Sequence, residues 1–207
     1  MTAVSMAGRA NQKLRTRNAI VRAAAELSRT GREVTMPEVA KAALVSEATA
    51  YRHFPDLASL LREAISGQLP GPDEALAAVA DSDDPVARIA AATEFLLRHV
   101  LSRQGVVRAL IAATISRPNG LQARPGLRLP LIDGALAPLD GTLDPAGLAQ
   151  LKRDLAVVVS AEALFSLIDL CGLGAEEAIT SIVHTATTLT RAATCVTTPT
   201  PEPTDLR

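Results

Sequence analysis

Apolar residues recur at intervals of three and four along most of the chain, and no stretch alternates with the period of two that a half-buried strand requires. Between Asn11 and Arg29, Leu14, Ile20, Ala23, Ala24 and Leu27 share one helical face, and Gly31 is placed to end that helix in the left-handed conformation. Thr35 and Glu38 form a T-x-x-E capping box with Pro37 in the first turn, where a missing N–H leaves no bond unmade. A short helix is therefore expected from Met36 to Ala43. Leu44 and Val45 make a turn, and Ser46 caps a third helix that runs to His53 or Phe54. Beyond Pro55, Asp56 caps a fourth helix from Leu57 to about Gln68.

The Pro-, Gly- and Asp-rich segment LPGPDEALAAVADSDDP then interrupts the pattern and places a domain boundary near residue 66. Asp84-Pro85 opens a helix to about Ser102, and Val106 to Ser116 reads as another. A long connection punctuated by proline and glycine holds one short helix near Leu129 to Leu136. Asp144-Pro145 starts what is expected to be the longest helix, to about Leu170, and Glu176 to Cys195 is the last. Residues 1–10 read as a disordered arm and residues 196–207, rich in proline, as a disordered tail.

Composition supports packed helices: 48% of residues are hydrophobic and only 2% aromatic, with Ala, Leu and Val supplying the apolar mass. The net charge of -1 conceals an asymmetry. The first 65 residues carry ten Lys and Arg against six Asp and Glu, and the remainder eleven against sixteen, so a segment of +4 precedes one of -5. A polyanion would be met at the amino end. Cys171 and Cys195 have no metal or redox spacing, no apolar run approaches the ~20 residues that cross a bilayer, and the amino end lacks the apolar core of a signal peptide. The expectation is a soluble, cytoplasmic protein with no membrane partner. No nucleophile elbow, phosphate loop or paired metal-ligand motif is found, so neither an enzyme, a cofactor nor a metal is expected.

In the short third helix, Ala50 and Phe54 lie four apart and face inward, with Val45 and Leu60 or Leu61 completing a small core. Ala48 and Arg52 point the opposite way, flanked by Thr49, Tyr51 and His53. Small residues followed by hydroxyl, phenol, guanidinium and imidazole are what a helix needs to enter the DNA major groove and reach base edges and phosphates. The chain thus reads as all-α: an N-terminal three-helix helix-turn-helix DNA-binding domain over residues 11–66, with the fourth helix closing it, and a larger helical domain over residues 67–195.

At these residues the chain resembles the TetR family of transcriptional regulators, whose amino module follows R-x-x-I/L-x-x-A-A, a glycine, then T-x-x-x-I/V-A-x-x-A-G-V-S-x-G-T-L-Y-x-H/Y-F-x-x-K-x-x-L. Arg17, Ile20, Ala24 and Gly31 match the first part; Thr35, Val39, Ala40, Ala43, Val45, Ser46, Thr49, Tyr51, His53, Phe54 and Leu60 match the second. The resemblance implies that Thr49, Tyr51, Arg52 and His53 face DNA beside Ser46, Glu47 and Ala48, that Thr35 caps against a phosphate, and that Arg15 and Arg17 approach the backbone. Leu44 and Ala48 stand where the family has glycine, and Leu57 where it has lysine. Glu47 either reads cytosine N4 or favours the helix N-terminus.

For the larger domain the resemblance implies a homodimer and a small-molecule effector. Leu151, Leu155, Val158, Glu162, Ile179, Ile182, Val183, Ala186 and Leu189 recur at helical spacing on two helices and are candidates for a four-helix dimer interface. Phe95, His99, Thr114, Phe165 and Ile168 are candidates for a mainly aliphatic effector pocket. Interior core is the alternative for both sets. The function expected is a ligand-relieved repressor that binds a near-palindromic double-stranded operator as a homodimer. A second reading, a small-molecule-binding or helical interaction protein that has lost operator reading, is motivated by Leu44, Glu47 and Leu57.

Overall fold

The computed structural model describes residues 3–66, 70–116 and 126–195, and the regular structure in them is entirely helical. The α-helices are α1 (Ala3–Ser28), α2 (Met36–Ala42), α3 (Glu47–His53), α4 (Leu57–Ser66), α5 (Pro72–Leu76), α6 (Pro85–Ser102), α7 (Gln104–Ser116), α8 (Arg128–Leu136), α9 (Pro145–Val158), α10 (Ala161–Asp169) and α11 (Ala175–Cys195). The proline-rich tail from residue 196 lies outside the described residues.

Local chemistry explains most boundaries. Thr35 caps α2 with the full reciprocal box: its hydroxyl accepts from the Glu38 N–H, and the Glu38 carboxylate accepts from the Thr35 N–H at 3.0 Å. Ser46 caps α3 by accepting from the Thr49 N–H at 3.2 Å, Asp56 accepts from the Ser59 N–H at 2.7 Å in the first turn of α4, and Asp144 caps α9. Gly31 ends α1's neighbourhood at φ +69°, in the left-handed region that glycine adopts without a Cβ clash.

Two elements differ from expectation. α1 begins at Ala3, within the segment read as an arm, because AVSMAGRA holds no proline and enough alanine and methionine for the helix to propagate back from Asn11. The long helix expected from Pro145 to Leu170 is two helices. Ser160 leaves helical dihedrals (φ -147°, ψ 155°) and its hydroxyl accepts from the Ala163 N–H at 3.0 Å, opening α10. Three successive valines, Val157 to Val159, precede that cap and favour extended backbone over helix, so a serine that competes for the amide ends α9 there.

The chain forms two compact units: one of residues 1–69 with 99–126, the other of residues 70–98 with 127–207. In the first, α1 packs on α4 and α2, α2 on α3, and α4 on α7. Its core joins Ile20, Ala24, Val39, Ala50, Phe54, Leu60 and Leu61 to Val106 and Leu110 of α7, so it is not a contiguous stretch ending near residue 66. The chain passes from one unit to the other after residue 69, after Arg98 within α6, and after Gly126.

In the second unit α11 packs on α9 and α10, and α8 on α5 and α9. Arg88 of α6 is the polar organiser there. Its guanidinium donates to the carbonyls of Val79, Ala80, Ser82, Gly134 and Ala135, at 2.9 to 3.3 Å. Val79 ends a short 3-10 helix, Ala80 and Ser82 follow it, and Gly134 and Ala135 lie in the last turn of α8, so one rigid fork ties two chain reversals together. Arg88→Met, which keeps the stem and removes the donors, is expected to cost about 2–3 kcal/mol in urea denaturation. A change under about 0.5 kcal/mol, the range of an ordinary surface substitution, would show the fork to be dispensable.

Candidate nucleic-acid interface

The DNA-facing candidates converge on one helix whose opposite face is buried. Ala50 and Phe54 of the α3 segment are 0% and 2% exposed, packed with Val39, Leu60 and Leu61, as the four-residue spacing requires. On the other side, Glu47, Ala48, Tyr51 and Arg52 are exposed, Thr49 and His53 half-exposed. Tyr51, half accessible, belongs to this outer surface and not to the core.

Three of these side chains form a line. The Ser46 and Thr49 hydroxyls lie 2.9 Å apart, and an Arg52 Nη donates to the Thr49 hydroxyl at 3.0 Å. The serine that caps the helix, the threonine one turn on and the arginine a further turn on are thus linked along the exposed face. This chain folds the guanidinium back along the helix and leaves most of its fork of five donors directed outward. Glu47 sits in the first turn and Arg52 in the last, so both charges complement the helix dipole.

The cations from α1 gather toward the same end. His53 has its imidazole pKa held below the ordinary 6.5, first by burial and then by the fields of Lys13, Arg52 and Arg17. Lys13 was not among the residues singled out from the sequence; only its membership of the basic amino-terminal run hinted at it. Arg15 is exposed on α1. Arg17 is not free to follow a phosphate: it is paired bidentately with Glu63 of α4, and its guanidinium lies 4.7 Å from the centre of the Phe54 ring. It clamps the end of the recognition helix between α1 and α4, a pairing 46 residues apart that no local spacing reveals. Thr35 likewise spends its hydroxyl within the α2 capping box, on Glu38.

The missing turn glycine has a clear consequence. Leu44 adopts φ +56° and is 93% exposed, so the left-handed turn is made by a residue with a Cβ and no packing to offset the strain. The turn is closed by the Val45 N–H donating to Ala40 at 3.0 Å.

The candidates in the larger domain fare differently. Leu151, Leu155, Ile179, Ile182 and Ala186 are all under 5% exposed within a single chain, so this stripe is the interior seam between α9 and α11 and not a dimer face. The correction follows from length: each helix has one apolar stripe, and α9 and α11 spend theirs on each other. Val158, Val183 and Leu189 keep partial exposure, while Glu162 faces Arg128 at 3.8 Å. The effector candidates are split. Phe95, Phe165 and Ile168 belong to the second unit, His99 and Thr114 to the first, so the five do not form one site within a unit. Thr114 donates its hydroxyl proton to the Leu110 carbonyl at 2.8 Å. His99 is pushed down to about 4 by burial and then by Arg103, and is neutral at pH 7.

Leu44→Gly is expected to raise the denaturation midpoint. The left-handed conformation costs a residue with a side chain about 1–2 kcal/mol, while glycine's looser unfolded state gives back about 0.5–1, for a net gain of roughly 0.5–1 kcal/mol. A lowered midpoint would mean that Leu44 makes packing contacts its exposure denies.

A family model described as bacterial regulatory proteins, tetR family, matches residues 20–64, from within α1 to within α4. Comparison with curated proteins and with solved structures produced no match. The matched span contains the two-helix unit, its buried anchors and the exposed line of Ser46, Thr49 and Arg52. Residues 20–64 are thus similar to the DNA-binding module of the tetR family of bacterial regulatory proteins, which supports a DNA-binding transcriptional regulator.

Proposed function

We propose that the protein is a homodimeric repressor that places α3 of each copy in the major groove of a near-palindromic operator and is released by a small apolar effector. The observation that carries this reading is the hydroxyl–hydroxyl–guanidinium line from Ser46 through Thr49 to Arg52 on the exposed face of a helix anchored from below. Arg52 reads guanine through a bidentate pair, Tyr51 and His53 meet phosphates, and the cations of α1 draw the duplex in.

A two-fold pair of heads would span half-sites about 34–36 Å apart. The second copy is met through the α9 to α11 side of the second unit, where Val157, Val158, Val183 and Leu189 retain apolar surface. The effector is an apolar molecule that sits among Phe95, Phe165 and Ile168, the candidates that share that unit, and binds one head spacing more tightly than the other.

Arg52→Ala is expected to weaken binding to a duplex selected from random DNA by about 1–3 kcal/mol, on the order of tenfold to a hundredfold, while binding to bulk DNA falls far less. Equal loss on both would remove base readout from Arg52.

His53 supplies a pH signature. Its depressed pKa leaves it neutral at pH 7 in the free protein, and phosphates placed against it would oppose the field of Lys13, Arg52 and Arg17 and raise that pKa. The complex then binds a proton the free protein lacks, so affinity strengthens as pH falls from neutrality through 6.5 and levels off below the free-state value. The folding contribution has the opposite sign. A depressed histidine stabilises the free fold above 6.5 and loses that contribution as pH falls. His53→Gln should flatten the affinity profile measured by fluorescence anisotropy; an unchanged profile would place His53 away from the phosphates.

A further inference from the structure

We propose that Glu63 is a specificity-determining residue: by holding the Arg17 guanidinium against α3, it withholds that cation from the DNA backbone and keeps the reading helix aimed. The proposal rests on the DNA-binding function argued above. Glu63 lies near the end of α4, outside the two-helix unit, and is none of the positions that carry the family resemblance.

Arg17 stands where a phosphate contact is at hand. It is one turn of α1 beyond Lys13, and the fields of both cations reach the His53 imidazole at the end of α3, so this edge of α1 runs beside the reading helix. A guanidinium has the fork that takes a phosphate as readily as a carboxylate. Here both Nη atoms donate to the two carboxylate oxygens of Glu63, and the group lies 4.7 Å from the centre of the Phe54 ring.

The pair acts on binding in two ways. The Arg17 and Glu63 side chains are 38% and 37% exposed, so the fork is open to a phosphate once the carboxylate lets go. While Glu63 holds it, Arg17 neutralises an acid instead of a phosphate, and attraction that ignores sequence is weaker along this edge. Phe54 is the inward anchor of α3, and its N–H closes the last turn by donating to the Ala50 carbonyl at 2.9 Å. A guanidinium fixed between that ring and α4 therefore steadies the turn that carries Arg52. An ion pair this exposed contributes little to stability, so its effect falls on binding and not on folding.

The test uses full-length Glu63→Gln, which keeps the shape of the side chain and removes its charge. Affinities for a duplex selected on the wild type and for bulk DNA are measured at several salt concentrations, together with the urea midpoint. Glu63→Gln is expected to bind bulk DNA more tightly, with log K falling about 0.9 more steeply against log salt as Arg17 takes one phosphate. Its discrimination between the two DNAs is expected to fall roughly tenfold, the size of one lost base contact. Adding Arg17→Met to Glu63→Gln is expected to return the salt slope to the wild-type value and to leave discrimination low. Wild-type slope and discrimination in Glu63→Gln, an equal loss of binding to both DNAs, or a steepening that persists without Arg17 overturns the proposal. If Glu63→Gln does not fold, Glu63→Ala, which leaves no amide to pair with Arg17, is judged by the same criteria. A wild-type chain that binds no duplex at all would instead sink the DNA-reading function itself.

Discussion

A seven-residue helix has no stability of its own in water, since the bonds it forms do not offset the cost of nucleating it. Everything that α3 does therefore depends on the small apolar seat beneath it. Ala50 and Phe54 are driven into the space between α1, α2 and α4, and that burial fixes the rotation of the helix about its axis. Rotation matters here, because it leaves Glu47, Ala48, Tyr51 and Arg52 exposed on the opposite face. The Arg17 guanidinium, held by Glu63 and laid against the Phe54 ring, secures the C-terminal end of the same helix. Ser46 secures the other end through its cap.

The seat is completed from a distance. α7, some forty residues beyond α4, contributes Val106 and Leu110 to it, so the head is not built from one contiguous stretch of chain. The rest of the chain has its own organisation, with α9 and α11 sharing an apolar seam and Arg88 closing two chain reversals through backbone carbonyls. The surface ion pairs of that unit, such as Arg98 with Glu94 and Glu176, are exposed and contribute little to stability individually.

The sequence was most legible where the relevant interaction spans one helical turn. The T-x-x-E box, the Ser46 cap, the Asp144-Pro145 start and the Ala50–Phe54 face are local, and each appears in the structure as its spacing requires. It was least legible where one pattern serves two purposes. An apolar stripe reads the same whether it meets a neighbouring helix or a second copy, so Leu151, Leu155, Ile179, Ile182 and Ala186 suited a dimer face until burial assigned them to the interior. Arg17 shows the same ambiguity in charge: a cation in a basic run suits a phosphate equally well, and only the fold brings Glu63 beside it. The break at Ser160 was masked because the leucine and valine spacing continues across it, while the cap is a single hydroxyl.

The central claim is that the exposed face of α3, held by the core below and the cations of α1 beside it, is where DNA is met. Amide hydrogen exchange of the full-length chain, with and without a duplex selected on it, tests that claim most directly. The account predicts added protection from Thr35 through His53 and along the Lys13 to Arg17 turn of α1. Binding that leaves those segments unchanged and protects only α8 to α11 would contradict it.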